Sequence, residues 1–160
     1  AECLADVARH SLDLRRELGT AILFISHDLS LVQSSADRVS VMYAGAIVDT
    51  AAADELFAYP VHPYTELLLE SIPCPDRRGE PLQAIPGRVP DASAVPAGCA
   101  FHPRCPIAVA RCRSEIPALV EYRRGHGSAC HRAAERAHPG EPDGSASDPG
   151  GRGAEREGRR

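Results

Sequence analysis

The sequence has no tryptophan and few aromatic residues, which make up 4% of its 160 residues. Its formal net charge is −4, so it lacks the basic excess typical of nucleic-acid binding, and no nucleic-acid partner is expected. No apolar run approaches the roughly 20 residues that span a bilayer, and no signal peptide is visible at the N-terminus. These absences predict a cytoplasmic protein, and its 43% of hydrophobic residues are enough for a core.

A phosphate-binding loop of the form G-x-x-x-x-G-K-[ST] is also absent, and the chain does not begin with methionine. Together these two absences lead us to expect the C-terminal piece of a longer polypeptide. There is no C-x-x-C pair among the six cysteines. In a reducing compartment, cysteines favour free thiols or metal ligation over disulfides.

The most apolar stretch runs from Ala21 to Ile25 and is rich in β-branched and aromatic residues. Its length and lack of alternation predict a strand buried on both faces, as in a parallel sheet covered by helices. Ser26, His27 and Asp28 follow directly, at the edge where open α/β sheets bind ligands. From the residues alone two interpretations stay open, a helix cap formed by Ser26 or Asp28 and a ligand-binding group.

Periodicity and turn signals predict the other elements. They are helices over 2–18, 28–36, 53–58 and 64–71, a hairpin of strands 38–43 and 46–49, about two helical turns over 106–113 and a short strand over 119–122. Gly19 is placed to end the first helix. His62 is expected to pack or cap at the start of the 64–71 helix more than to bind a ligand.

Four cysteines lie in one short segment with the pattern Cys99-x5-Cys105-x6-Cys112-x17-Cys130. Four thiolates can bind a [4Fe–4S] cluster or a tetrahedral Zn²⁺ ion. The competing interpretation is four ordinary buried thiols, but the segment has too few large apolar residues to bury them. If the metal is zinc, spare nitrogen ligands are His102, His126 and His131.

Short motifs follow one another in a specific order along the chain. They are Phe24-Ile25-Ser26-His27-Asp28-Leu29, Ala36-Asp37-Arg38-Val39, Val41-Met42-Tyr43-Ala44-Gly45, His62-Pro63-Tyr64-Thr65, Ile85-Pro86-Gly87 and Gly98-Cys99-x-Phe101-x-Pro103-Arg104-Cys105-Pro106. In this order they resemble the ATPase subunits of oligopeptide/dipeptide importers of the ATP-binding-cassette (ABC) family. The similarity extends roughly from Leu14 to His131, and the order is more specific than any single motif.

The resemblance implies an α/β fold, the C-terminal part of a P-loop-type ABC nucleotide-binding domain followed by a small irregular Cys-rich appendage. The expected divisions are the nucleotide-binding part over 1–72, a Pro/Gly-rich connector over 73–95, the appendage over 96–132 and a disordered tail over 133–160. Disorder is expected in the tail because it has no apolar periodicity.

The resemblance also implies a function. His27 would be the switch histidine that contacts the γ-phosphate of ATP, with Mg²⁺ as the accompanying ion. Because the Walker A, signature and Walker B motifs are missing, the parent protein is expected to be an ATPase, while this chain alone is not. Some family members bind an iron–sulfur cluster, which favours a [4Fe–4S] cluster on the four cysteines over zinc.

The implied partners are a second ATP-binding subunit, transmembrane permease subunits and, indirectly, a peptide-binding protein. The implied location is the cytoplasmic face of the cell membrane, as a peripheral subunit. The alternative hypothesis is a stand-alone metal-binding module, regulatory or structural, that keeps only remnants of an ATPase.

Overall fold

A four-stranded antiparallel sheet is the centre of the computed structural model, which describes residues 10, 12–72, 84–91 and 93–136. The strands lie side by side in the order β1-β2-β4-β3. Their bounds are β1 Arg38–Tyr43, β2 Ala46–Ala52, β3 Val120–Arg123 and β4 His126–Ser128. The described part of the chain is therefore a small mixed α/β unit.

Five helices and two 3₁₀ turns lie in the described ranges. They are α1 over 12–18, α2 Leu29–Ser35, α3 Ala53–Ala58, α4 Pro63–Glu70, α5 Ala133–Arg136 and the 3₁₀ turns His102–Arg104 and Ala110–Arg113. The predictions of α2, α3 and α4 are confirmed to within one residue at each end. Gly19 ends α1 as predicted, with a φ of +64° and an N–H that donates to the carbonyl of Arg15.

The hairpin β1–β2 forms where the sequence predicts it. Val39, Val41 and Tyr43 alternate with exposed residues and face the core. The turn residues Ala44 and Gly45 both have positive φ, at 47° and 83°. A two-residue turn of this kind matches the twist of an antiparallel pair, and Gly45 suits the positive φ at its second position.

The cysteine-bearing segment shares this sheet and its core. β4 pairs with β2, with Asp49 opposite Ser128 and Thr50 opposite Gly127. Phe101, from the same segment, is 1% exposed and belongs to the core cluster around the hairpin. The expected irregular appendage is thus corrected in part, because two of its stretches complete a sheet begun some 70 residues earlier.

Residues 21–25, predicted as a doubly buried strand, are not in a strand. Leu23 and Ile25 are 89% and 85% exposed. A central strand needs backbone partners on both sides, and the four strands of the described sheet do not include this segment. The prediction of a parallel-sheet strand is therefore wrong for this structure, and an apolar segment stays exposed.

The segment between Cys105 and Cys112 is also less helical than predicted. The N–H of Cys112 donates to the carbonyl of Val109, three residues earlier, which is the spacing of a 3₁₀ helix. Val109 itself has an extended backbone. An extended residue interrupts an α-helix, so only the 3₁₀ turn Ala110–Arg113 forms where two helical turns were expected.

The beginning of the tail that was predicted to be disordered forms α5. Ala133 is fully buried, and Arg136 donates from Nε to the carbonyl of Val61 at 2.8 Å and pairs with Glu66. Four residues held by one buried alanine and one arginine have no apolar periodicity, so the sequence pattern does not predict this helix. Residues 137–160 and most of the predicted helix over 2–18 lie outside the described residues.

Candidate functional site

Ser26, His27 and Asp28 form a hydrogen-bonded turn at the start of α2. The Oδ1 atom of Asp28 accepts the N–H groups of Ser30 and Leu31, both at 3.1 Å. The Oγ atom of Ser26 accepts the N–H of Asp28 at 3.0 Å. Asp28 is therefore the N-cap of α2, which confirms one of the two interpretations that the sequence left open.

His27 lies between these two fixed residues, and its side chain is exposed. The side-chain oxygens on either side of it are occupied by backbone N–H groups. The imidazole is thus accessible on a backbone that its neighbours hold in place. Such a histidine can donate to, or accept from, a group approaching from outside. Its role in ATP hydrolysis stays a prediction.

The structure brings the four cysteines of the pattern close enough to influence one another. The N–H of Cys99 donates to the carbonyl of Cys112 at 2.9 Å, which places these two side by side. Burial, together with charges on Cys130, Cys99 and Cys112, raises the pKa of Cys105 to about 11. Burial likewise raises the pKa of Cys99 and of Cys130.

Backbone N–H groups point at three of these sulfur atoms. Phe101 donates to Cys99, Ile107 to Cys105 and Arg132 to Cys130, each from two residues further along the chain, and each contact lowers the pKa of the thiol it reaches. Donors of this type stabilise thiolates and tune metal–sulfur centres. The described ranges nevertheless contain no group of three or more His, Cys, Asp or Glu arranged to hold a metal ion.

The spare histidines of the cysteine segment are engaged elsewhere. Nδ1 of His102 lies 2.9 Å from the carbonyl oxygen of Cys99, and Nε2 of His131 lies 3.0 Å from that of Glu115. His126 is buried against Asp49 instead of facing the thiols. Cys3 and Cys74, expected to be bystanders, lie outside the described residues.

A buried polar cluster on β2, β4 and the start of α4 was not predicted. Asp49 is fully buried, and its carboxylate accepts the Nε2–H of His126 at 3.1 Å and the N–H of His62 at 3.0 Å. Burial alone would raise the pKa of Asp49, but the hydrogen bonds from His126 and His62 lower it below its usual value. The cluster connects the hairpin to the cysteine segment through side chains.

His62 is the N-cap of α4, as predicted, and is 1% exposed. Its Nδ1 accepts the N–H of Tyr64 at 3.0 Å. The sequence contains one indication that Asp49 is buried, because it is the single charged residue in the apolar run Ala46–Ala52. A charge in such a run requires a buried partner, but nothing local indicates that the partner is His126.

The buried imidazole of His62 predicts a loss of stability in acid. Burial lowers the pKa of His62 from 6.5 to about 4, so between these values the unfolded chain binds a proton that the folded chain excludes. The free energy of unfolding is therefore expected to fall by about 2 kcal/mol between pH 7 and pH 5. Because the pKa of Asp49 is also lowered, protonation of this carboxylate reduces the free energy of unfolding further at still lower pH.

Urea unfolding at several pH values measures this slope. His62→Asn is the matched variant, because asparagine keeps an N-cap acceptor but does not titrate. We expect the variant to have a flatter profile between pH 7 and pH 5. An equal slope in both proteins would show that His62 does not cause the acid sensitivity.

Comparison with known proteins shows which proteins this chain resembles. Residues 48–112 match the family described as "Oligopeptide/dipeptide transporter, C-terminal region". The matched range begins in β2 and ends at Cys112, so it contains Asp49, His62 and three of the four cysteines. This confirms the resemblance that the sequence motifs indicated.

Individual relatives show the same similarity. The chain is 48% identical over 134 residues to a probable peptide ABC transporter ATP-binding protein of Sinorhizobium fredii, covering 83% of this chain and 38% of the relative. It is 45% identical over 130 residues to a putative peptide import ATP-binding protein of Brucella ovis, covering 80% of this chain and 41% of the relative. It is 45% identical over 126 residues to the oligopeptide transport ATP-binding protein AppD of Bacillus subtilis, covering 79% of this chain and 38% of the relative.

The chain is thus similar, over most of its length, to part of the ATP-binding proteins of peptide ABC transporters, and its residues 48–112 are similar to the C-terminal region described for oligopeptide/dipeptide transporters. It spans about two fifths of the length of these curated relatives. Among the described helices, none is long and apolar enough to cross a membrane.

Proposed function

We propose that this chain is the C-terminal portion of an ATPase subunit that couples ATP hydrolysis to peptide import across the cytoplasmic membrane. The observation that carries the proposal is the similarity to peptide ABC transporter ATP-binding proteins over about 80% of the chain. A further support is the exposed histidine on a fixed turn, His27, at the position that the resemblance assigns to the switch histidine.

His27 is proposed as the catalytic residue of this portion. A neutral imidazole can donate to an oxygen of the γ-phosphate and orient the attacking water. Asp28 is proposed as a positioning residue, because its Oδ1 atom caps α2. Ser26 and Asp28 together hold the backbone from which His27 extends, so that little reorganisation is needed when a phosphate approaches.

The exposed apolar segment over 21–25 supports a larger parent protein. Leu23 and Ile25 expose most of their surface, and burying one such side chain stabilises a fold by about 2 kcal/mol. In the proposed parent, strands from the rest of the nucleotide-binding domain would pair with this segment and cover it. His27 would then lie at the end of a strand, beside the bound nucleotide.

The remaining functional assignments follow from the same proposal. ATP with Mg²⁺ would be the substrate of the parent, and this chain alone would be inactive, since it has no phosphate-binding loop. The partners would be a second ATP-binding subunit and transmembrane permease subunits, with a peptide-binding protein acting indirectly. The subunit would be peripheral, on the cytoplasmic face of the membrane.

We also propose Cys99, Cys105, Cys112 and Cys130 as the ligands of a [4Fe–4S] cluster, with zinc as the alternative. Their spacing and the N–H groups directed at three of the sulfurs support this proposal. The thiols would have to close further around the cluster and lose their protons. Metal binding would stabilise a segment with few large apolar residues. A stand-alone metal-binding module remains the second candidate function, favoured by the same thiols.

Replacing His27 by alanine in the full ATPase tests the first proposal. Loss of a donor to the transition state is expected to lower kcat about 100-fold while the affinity for ATP changes little. His10→Ala, at another exposed histidine, is the control and should have wild-type turnover. If His27→Ala retained turnover within about twofold of the wild type, the Ser-His-Asp turn would be a helix cap and nothing more.

A further inference from the structure

Arg104 lies between the buried aromatic core and the cysteine loop, at the end of the 3₁₀ turn His102–Arg104. Phe101, just before this turn, packs edge-on against Tyr43 with 5.1 Å between ring centroids. Cys105 follows Arg104 directly. The backbone from which the arginine extends is therefore fixed by the core on one side and begins the cysteine loop on the other.

The guanidinium of Arg104 binds acceptors on two distant parts of the chain. Nε donates to the carbonyl of Pro86 at 2.7 Å, and Nη2 donates to the carbonyl of Ile85 at 3.3 Å. Nη1 donates to the hydroxyl of Tyr43 at 3.3 Å, and the guanidinium lies over the Tyr43 ring. The planar guanidinium has several donors and can reach all three acceptors at once, whereas the compact ammonium of a lysine fits this arrangement less well.

Gly87 completes the contact from the connector side. Its φ is +76°, a conformation that favours glycine, and a Cβ placed there would lie 3.5 Å from Cγ of Arg104. The connector also has an apolar anchor, since Ile85 packs against the core cluster. The Ile85-Pro86-Gly87 motif is therefore held by its backbone carbonyls and by one side chain.

We infer that Arg104 is an intramolecular latch, which holds the connector motif Ile85-Pro86-Gly87 against β1 and joins connector, sheet and cysteine loop into one unit. The inference rests on these contacts and does not depend on the ATPase or the metal cluster. Releasing the guanidinium should free the connector and leave the hairpin paired, because the backbone ladder between β1 and β2 does not involve Arg104.

Limited proteolysis of the whole chain with proteinase K, with fragments identified by mass spectrometry, tests the latch. Arg104→Ala is expected to raise the rate of cleavage within residues 84–91 about tenfold, since local opening governs cleavage. Arg104→Lys should give an intermediate rate. Arg113→Ala, at an exposed arginine of the neighbouring 3₁₀ turn, is the control and should leave the rate unchanged.

A rise confined to 84–91 in both Arg104 variants supports the latch. Wild-type cleavage in both variants contradicts it. A rise spread evenly over the chain in the milder Arg104→Lys also contradicts it, because Arg104 would then support the whole fold.

Gly87→Ala should give the same local rise, and combining it with Arg104→Ala should add little. Full additivity of the two rises would mean that the two residues act separately, against a shared latch.

Discussion

Replacing Asp49 by alanine is expected to lower the free energy of unfolding by about 3 kcal/mol. The carboxylate is fully buried and accepts hydrogen bonds from His126 and from the N–H of His62. Its loss leaves two buried donors unpaired, each at a cost of about 1–3 kcal/mol. Because the donors lie on β4 and at the start of α4, the variant should loosen the cysteine segment together with the hairpin.

Urea unfolding followed by circular dichroism measures this change. Asp54→Ala is the matched control, since it removes the same charge from an exposed position in α3, and it should alter stability by less than about 1 kcal/mol. A loss of stability in Asp49→Ala no larger than in Asp54→Ala would show that the buried cluster contributes nothing to the fold.

Single Cys→Ser changes at the four proposed ligands are expected to abolish metal binding. Protein purified without oxygen should be brown and contain iron and acid-labile sulfide in near-equal amounts. Each of Cys99→Ser, Cys105→Ser, Cys112→Ser and Cys130→Ser should bleach this colour. The reason is that a cluster of this type needs four thiolates and that serine replaces a soft ligand by a poor one.

Cys3→Ser and Cys74→Ser are the matched controls, because they remove a thiol outside the pattern and should leave iron and sulfide unchanged. Stoichiometric zinc without sulfide would show that the cysteines bind a structural zinc ion and not an iron–sulfur cluster. Absence of metal after anaerobic purification, with the segment still folded, would leave four free thiols and refute the cluster.

The elements that could be predicted from the sequence are those that depend on local signals. The hairpin follows from Val39, Val41 and Tyr43 in alternation and from a turn whose two residues adopt positive φ. α2 follows from Asp28 as its cap, and α4 from His62 and Pro63. In each case the residues that decide the structure lie within a few positions of one another.

Long-range features could not be predicted in the same way. β4 has only three residues, and its place beside β2 depends on partners far away in sequence. Conversely, the apolar run over 21–25 carries a strong strand signal but has no partner strand in the described sheet. A strand forms only when another strand satisfies its backbone groups.

The same difference between local signals and long-range contacts applies to the candidate sites. His27 and the four cysteines stand out through short motifs, and the structure places the histidine on an exposed turn and the thiols near one another. The structural roles of Asp49 and Arg104 were not predicted, because they depend on His126 and on the carbonyls of Ile85 and Pro86. No spacing rule in the sequence connects these residues.

The coding sequence immediately upstream of Ala1 tests the central claim most directly, since the claim is that these residues are the C-terminal portion of a peptide-importer ATPase. We predict an open reading frame, continuous with Ala1, that encodes a G-x-x-x-x-G-K-[ST] loop followed by an ABC signature motif. An in-frame start codon next to Ala1, with no such motifs before it, would contradict the claim and favour the stand-alone metal-binding module.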